Sequence, residues 1–183
     1  MALAPDMMDQ VDQLLSDEQA KDIYANFGRA IYAANILEHG IANALFVLKL
    51  LPKMRDFNSI TEWGDAVESF FATCFEKTFG SLAKDLYGIG VIPPETIDLI
   101  QSTVTVRNFL VHHFNRENAH LFYTDEGRAE LREQCTNALR LFDIADTELE
   151  AIIAPVRAEH GVDNAWLQQK YQDSLKSLLG ESA

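Results

Sequence analysis

The stretch Arg107-Asn108-Phe109-Leu110-Val111-His112-His113 gathers a guanidinium, a carboxamide and two imidazoles within seven residues. Histidine is the side chain best placed to exchange a proton near neutrality. Arginine can grip a phosphate with its planar fork and stabilise charge that develops there. These are the parts of a metal-independent RNA cleavage. A base takes the proton from the 2′-hydroxyl, a cation steadies the pentacoordinate phosphate, and an acid protonates the departing 5′-oxygen. The products would be a 2′,3′-cyclic phosphate and a 5′-hydroxyl. Asn108 and His112 are four positions apart and share a helix face. Arg107 and His112 are separated by roughly 7 to 8 Å along a helix axis. Their convergence on one group needs long side chains or matching residues from a second copy. Successive helix residues diverge by roughly 100°, so His112 and His113 face differently, and which of them acts stays open.

A metal site competes for the same residues. His113, Glu117 and His120 nearly share a face, and Glu117-Asn118-Ala119-His120 has the Glu-x-x-His spacing of di-iron bundles. Such bundles need a second copy of that spacing, which this chain lacks. No metal and no cofactor is therefore expected. The chain also lacks a glycine-rich phosphate loop, a Gly-x-Ser-x-Gly elbow and a Cys-x-x-Cys pair. His39 and His160 stand alone, Trp63 and Trp166 read as packing anchors, and Arg128 and Arg132 suit a solvated helix face or the rim of a pocket.

The elements that must position the cluster read as helices. One runs from about Glu95 to Leu121, opened by Pro94. On a helical wheel its apolar residues, from Ile97 to Phe114, fill one arc with Arg107 in the middle. Phe109 falls among polar residues, where burial against a second copy would suit it. An earlier helix over residues 17–51, capped by Ser16 and stopped by Pro52, places Glu38 in its own apolar stripe. A charge on a core face is costly unless paired. The spacing predicts that Glu38 meets Arg107 within about 4 Å, either as a structural pair or to aim the guanidinium at a pocket.

Residues 61–87 read as one or two helices with Gly80 as a break, and GIGVIPPE is a turn. Thr124 caps a helix that reaches about Ile153, before Pro155, and Asp163 caps a last one ending at Gly180. The predicted fold is all-α, an up-and-down bundle of four or five principal helices with a peripheral C-terminal helix. It forms a single domain over residues 1–183, with a bundle core at 17–153 and the peripheral helix at 163–180.

With 48% hydrophobic residues the chain can bury a real core, and its net charge of −13 disfavours general binding to duplex DNA. RNA would have to be met by a local basic pocket. Cys74 and Cys135 imply no disulfide scaffold. The N-terminus shows no signal peptide, and the apolar run near Ile41 to Leu51 is too short to span a bilayer. A cytoplasmic protein with no membrane partner is expected.

At RNFLVHHF the chain resembles the HEPN superfamily of small helical proteins, whose members share an Arg-x(4–6)-His motif, often with a polar residue after the arginine. RNFLVH supplies Arg107, Asn108 and His112, with His113 as the longer-spaced alternative. Many relatives end the motif in His-x-Tyr, where this chain has His112-His113-Phe114. The resemblance covers residues 20–150, and 95–121 above all. It implies a four- or five-helix bundle, commonly a homodimer, in which arginine and histidine from both subunits form an endoribonuclease site. On that resemblance Arg107 stabilises phosphate charge, Asn108 orients the site, His112 performs acid–base chemistry, and Glu38 is the acidic partner from an earlier helix. Other relatives are non-catalytic bundles that bind a regulatory protein or an antitoxin. Ile36-Leu37-Glu38 and FGSLAKDLYGIGVI also resemble the mannitol operon repressor family, which is helical and regulatory.

Overall fold

A computed structural model of the chain describes residues 18–179. The expected Ser16 cap and Gly180 terminus lie outside the described residues. Helix α1 is Glu18–Lys49, followed by a 3-10 turn, Leu51–Asp56. Then come α2 (Ile60–Phe75), α3 (Phe79–Tyr87), α4 (Pro94–His112) and the short α5 (Phe114–Asn118). A second 3-10 turn, Ala119–Tyr123, leads into α6 (Asp125–Glu159), and α7 (Asn164–Leu178) closes the order. The chain is an all-helical bundle with a C-terminal helix, and no strand occurs among the described residues.

Helix starts follow local chemistry. The Ser59 hydroxyl accepts the Glu62 N–H at 3.1 Å, satisfying one otherwise free donor of α2, and the Glu62 carboxylate accepts the N–H of Asn58, just before the cap, at 2.9 Å. Thr78 caps α3 through the Ser81 N–H at 3.2 Å, so the break between α2 and α3 falls before Thr78. Gly80, expected to be that break, is inside α3. Thr124 accepts the Gly127 N–H at 3.0 Å, and Asp163 the Trp166 N–H at 2.8 Å, as expected for caps of α6 and α7.

Two helix ends differ from expectation. The helix expected to reach Leu121 ends at His112, because His113 leaves helical geometry at φ −126 and ψ −32. The helix expected to stop before Pro155 continues to Glu159 with the proline inside it. A proline ring crowds the carbonyl four residues earlier and removes one hydrogen bond. Here that carbonyl belongs to Ala151, and the exposed ring stands beside small Ala154 and Ala158. The Arg157 guanidinium reaches back across the proline to both Glu150 carboxylate oxygens, at 3.0 and 2.6 Å. It also donates to the Val162 carbonyl at 3.2 Å and Asn164 at 3.0 Å, tying the end of α6 to the start of α7.

The chain divides into two compact units, each assembled from distant segments. The first comprises residues 1–37 and 98–146, the second 38–97 and 147–183. In the first, Ile23, Leu37, Ile100, Phe114, Leu131 and Phe142 are almost fully buried. Phe27 stacks on Phe114 at 5.2 Å, and Tyr24 on Phe122 at 5.9 Å. The second unit buries Ile41, Leu45, Leu82, Leu86 and Leu149. There Phe46 contacts Trp63 and Phe71, which supports the packing role expected of Trp63. Among the described residues α1 alone is long and apolar enough to cross a bilayer by composition, over a longer span than the Ile41–Leu51 run. Its apolar residues instead supply buried positions to each unit: Ile23, Ala30, Ala34 and Leu37 to the first, Ile41 and Ala44 to the second.

Candidate functional site

Arg107, Asn108, His112 and His113 all belong to the first unit, on or just past the last turns of α4. The buried positions Ile100, Thr103, Leu110 and Phe114 set the phase of that helix. Arg107 stands in the same alternating three-and-four spacing, between Thr103 and Leu110, and is half-buried. The expected place of a guanidinium in the apolar stripe therefore holds. Thr103 is a polar member of the stripe that its sequence does not announce. It is fully buried and donates its hydroxyl proton to the Ile100 carbonyl at 2.6 Å.

Arg107 belongs to the first unit, and Glu38, the partner expected for it, to the second. Its Nη1 donates to Asn108 Oδ1 at 3.5 Å, the outer limit of a hydrogen bond. Among the described residues neither Arg107 nor Glu38 takes part in an ion pair. Glu38 is half-buried. On the α1 wheel Glu38 falls between the buried Ala42 and Leu45, so its place in the apolar stripe holds.

The two imidazoles have different surroundings. His112 is exposed, and its ring meets that of His113 edge-on, with centroids 6.4 Å apart and planes at 83°. His113 lies parallel to Phe109 at 6.5 Å. Phe109 itself is half-buried and packs edge-on against Phe114, so it is not the bare exposed ring expected from the wheel. Arg116 Nη2 lies 2.7 Å from His113 Nδ1, and Glu117 Oε1 lies 3.2 Å from both of those atoms. Nδ1 can accept from Arg116 only through a lone pair and donate to Glu117 only when it carries a proton. Which of the two contacts is a hydrogen bond therefore depends on the tautomer of the ring.

Arg116 and Glu117 were not among the candidate residues of the motif. Their signal was the i+3 and i+4 spacing from His113, which brings side chains together across one helical turn. His113 and Glu117 do meet, as the metal reading requires. His120, however, completes no set with them, and no group of three or more His, Cys, Asp or Glu side chains could hold a metal among the described residues.

Two further polar contacts tie segments of the first unit together. Asn118 is buried and donates to Gln134 at 3.1 Å, holding α5 to α6. Arg128, expected to be a solvated or pocket-rim residue, is only 13% exposed and is a tie between segments. It donates to Gln19 at 2.6 Å, to the Phe122 carbonyl at 2.8 Å and to Asp125 at 2.5 Å.

The end of α4 thus carries a half-buried guanidinium with a carboxamide oxygen 3.5 Å away, one exposed imidazole and, just past it, one imidazole in contact with Arg116 and Glu117. No protein-family model matches the chain, and neither a curated protein nor a solved structure shows significant similarity to it, so the likeness to HEPN proteins rests on the motif residues alone.

Proposed function

We propose that the chain is a cytoplasmic, metal-independent endoribonuclease of the HEPN type, with a composite site completed by a second copy. The observation that carries this reading is Arg107, a half-buried guanidinium in register with core residues and without a carboxylate partner among the described residues. Holding a cation in that position is costly unless an anion compensates it. In a chain of net charge −13, a phosphodiester is a fitting anion for a site that also presents imidazoles. Arg107 takes the phosphate, Asn108 orients the guanidinium, and His112, being exposed, exchanges protons with the 2′- and 5′-oxygens. His113 is the alternative acid or base. Arg107 and His112 make no hydrogen bond within one chain, which is why the reading needs a homodimer.

The test is cleavage of varied RNAs, tRNA included, in excess chelator, with end-group analysis. Wild type is expected to leave 2′,3′-cyclic phosphate and 5′-hydroxyl ends. Arg107→Ala and His112→Ala are expected to lose about 10²- to 10⁴-fold, the usual worth of such groups. His113→Ala decides which imidazole acts. If no RNA is cut under these conditions, the reading falls. The chain is then better read as a regulatory bundle that binds a protein such as an antitoxin.

A further inference from the structure

The second unit holds a cavity of about 360 Å³ that has no part in the RNA chemistry. Its volume is within the range of small-molecule sites, roughly 300 to 1,000 Å³. The inner wall is apolar, with Leu45 and Cys74 buried and Phe70 half-buried. Burial raises the Cys74 thiol above its ordinary value, so this sulfur stays protonated and acts as apolar wall. Thr73 spends its hydroxyl proton on the Ser69 carbonyl at 2.9 Å. The lining therefore presents a hydrocarbon-like surface with little to offer a polar ligand body.

The charges sit at the outer edge. Lys77 pairs with Asp85 at 2.6 Å, each side chain 37% exposed, and this pair leaves Asp85 satisfied. Lys49 is exposed and reaches only the Asp85 backbone carbonyl, at 3.5 Å. Two ammonium groups thus face one carboxylate, and the excess is a single positive charge on Lys49. That charge beside an apolar wall fits a ligand with one negative head and a hydrocarbon tail. A doubly charged phosphate monoester fits less well, since its second charge would face Asp85 and no guanidinium is present to fork it.

We propose that this cavity binds a medium-chain carboxylate, with its head on Lys49 and its tail along Leu45, Phe70 and Cys74. The test is calorimetric titration of the full chain with octanoate, 1-octanol and acetate. Octanoate is expected to bind at one site, and affinity is expected to rise about fourfold per methylene from butyrate to octanoate. Acetate and 1-octanol are each expected to bind at least about tenfold more weakly than octanoate, for want of tail burial or charge pairing. Lys49→Gln is expected to lose octanoate affinity about tenfold, whereas Lys53→Gln, outside the cavity, leaves it unchanged. Ala66→Leu, which fills the cavity from α2, is expected to abolish binding while thermal melts show that the chain still folds. Equal binding of 1-octanol and octanoate would overturn the proposal. So would equal affinities of the two lysine variants, or full binding by Ala66→Leu. None of these measurements depends on RNA cleavage.

Discussion

Two glycines, both in helices of the first unit, are expected to answer the same substitution with opposite signs. A Cβ added to Gly127, in the first turn of α6, would overlap the Leu121 carbonyl oxygen and lie 2.8 Å from the Leu121 Cα. Both are backbone atoms six residues back, so no rotamer change relieves the overlap. The 3-10 turn would have to move, taking with it the Arg128 bond to the Phe122 carbonyl. Overpacking ordinarily costs about 1–3 kcal/mol, and alanine regains roughly 1 kcal/mol of helix propensity over glycine. Because the clash falls on backbone, Gly127→Ala is expected near the top of that range, leaving roughly 2 kcal/mol net. For a chain of this size that lowers the melting temperature by about 4–8 °C. A Cβ added to Gly28, in α1, meets nothing within 4 Å. Gly28→Ala should therefore gain roughly 0.5–1 kcal/mol from reduced unfolded-state entropy, raising the melting temperature by about 1–4 °C. Circular-dichroism melts and urea titrations of both variants read the effect. Neither glycine has positive φ, so backbone strain cannot account for a difference between them. If both variants shift in the same direction, the close approach at Leu121 is not what selects glycine at 127.

Arg128→Met removes three hydrogen bonds from a nearly buried guanidinium and is expected to destabilise by about 2–4 kcal/mol in urea. Arg128→Lys should recover little, because one ammonium cannot reproduce the fork. Burial pushes the Cys135 thiol from 9.0 up to about 11. The folded chain then keeps a proton that the unfolded chain loses, so this contribution is full below pH 9 and is lost as pH rises toward 11. Its loss amounts to roughly 3 kcal/mol at most, and the drop in urea stability between pH 8 and 10.5 should shrink in Cys135→Ala. Arg157→Gln is expected to loosen the junction of α6 and α7, read as faster limited proteolysis near Gly161, with an unchanged digestion rate counting against the role given to Arg157.

Much of the helical order was legible because caps and breakers are local. Thr124, Asp163 and Pro94 act on donors and carbonyls within one turn, and a sequence shows those residues directly. The end of α4 was not, since nothing at His113 marks a stop and the break depends on where Phe114 and Asn118 are buried. Pro155 misled in the other direction. Its helix continues through a salt link, from Glu150 to Arg157, whose two ends lie on either side of the proline. At the candidate site the register of Arg107 could be read, because periodicity reports which positions share a face. The His113–Glu117 approach was read from its spacing, but the contacts of Arg116 with both residues were missed. Their spacing is common on solvated helices, and such exposed pairs carry little energy of their own.

The interruption at His113 separates two angular registers. Upstream, Ile100, Thr103 and Leu110 fix the bearing of Arg107 and His112. Downstream, Phe114 and Asn118 fix the bearing of Arg116 and Glu117 independently. A residue inserted at the joint would lengthen the bend and leave both bearings intact. The same insertion between Leu110 and His112 would swing His112 by about 100° relative to Arg107. Drift in motif length is thus mechanically tolerable at one peptide bond and ruinous two or three residues earlier.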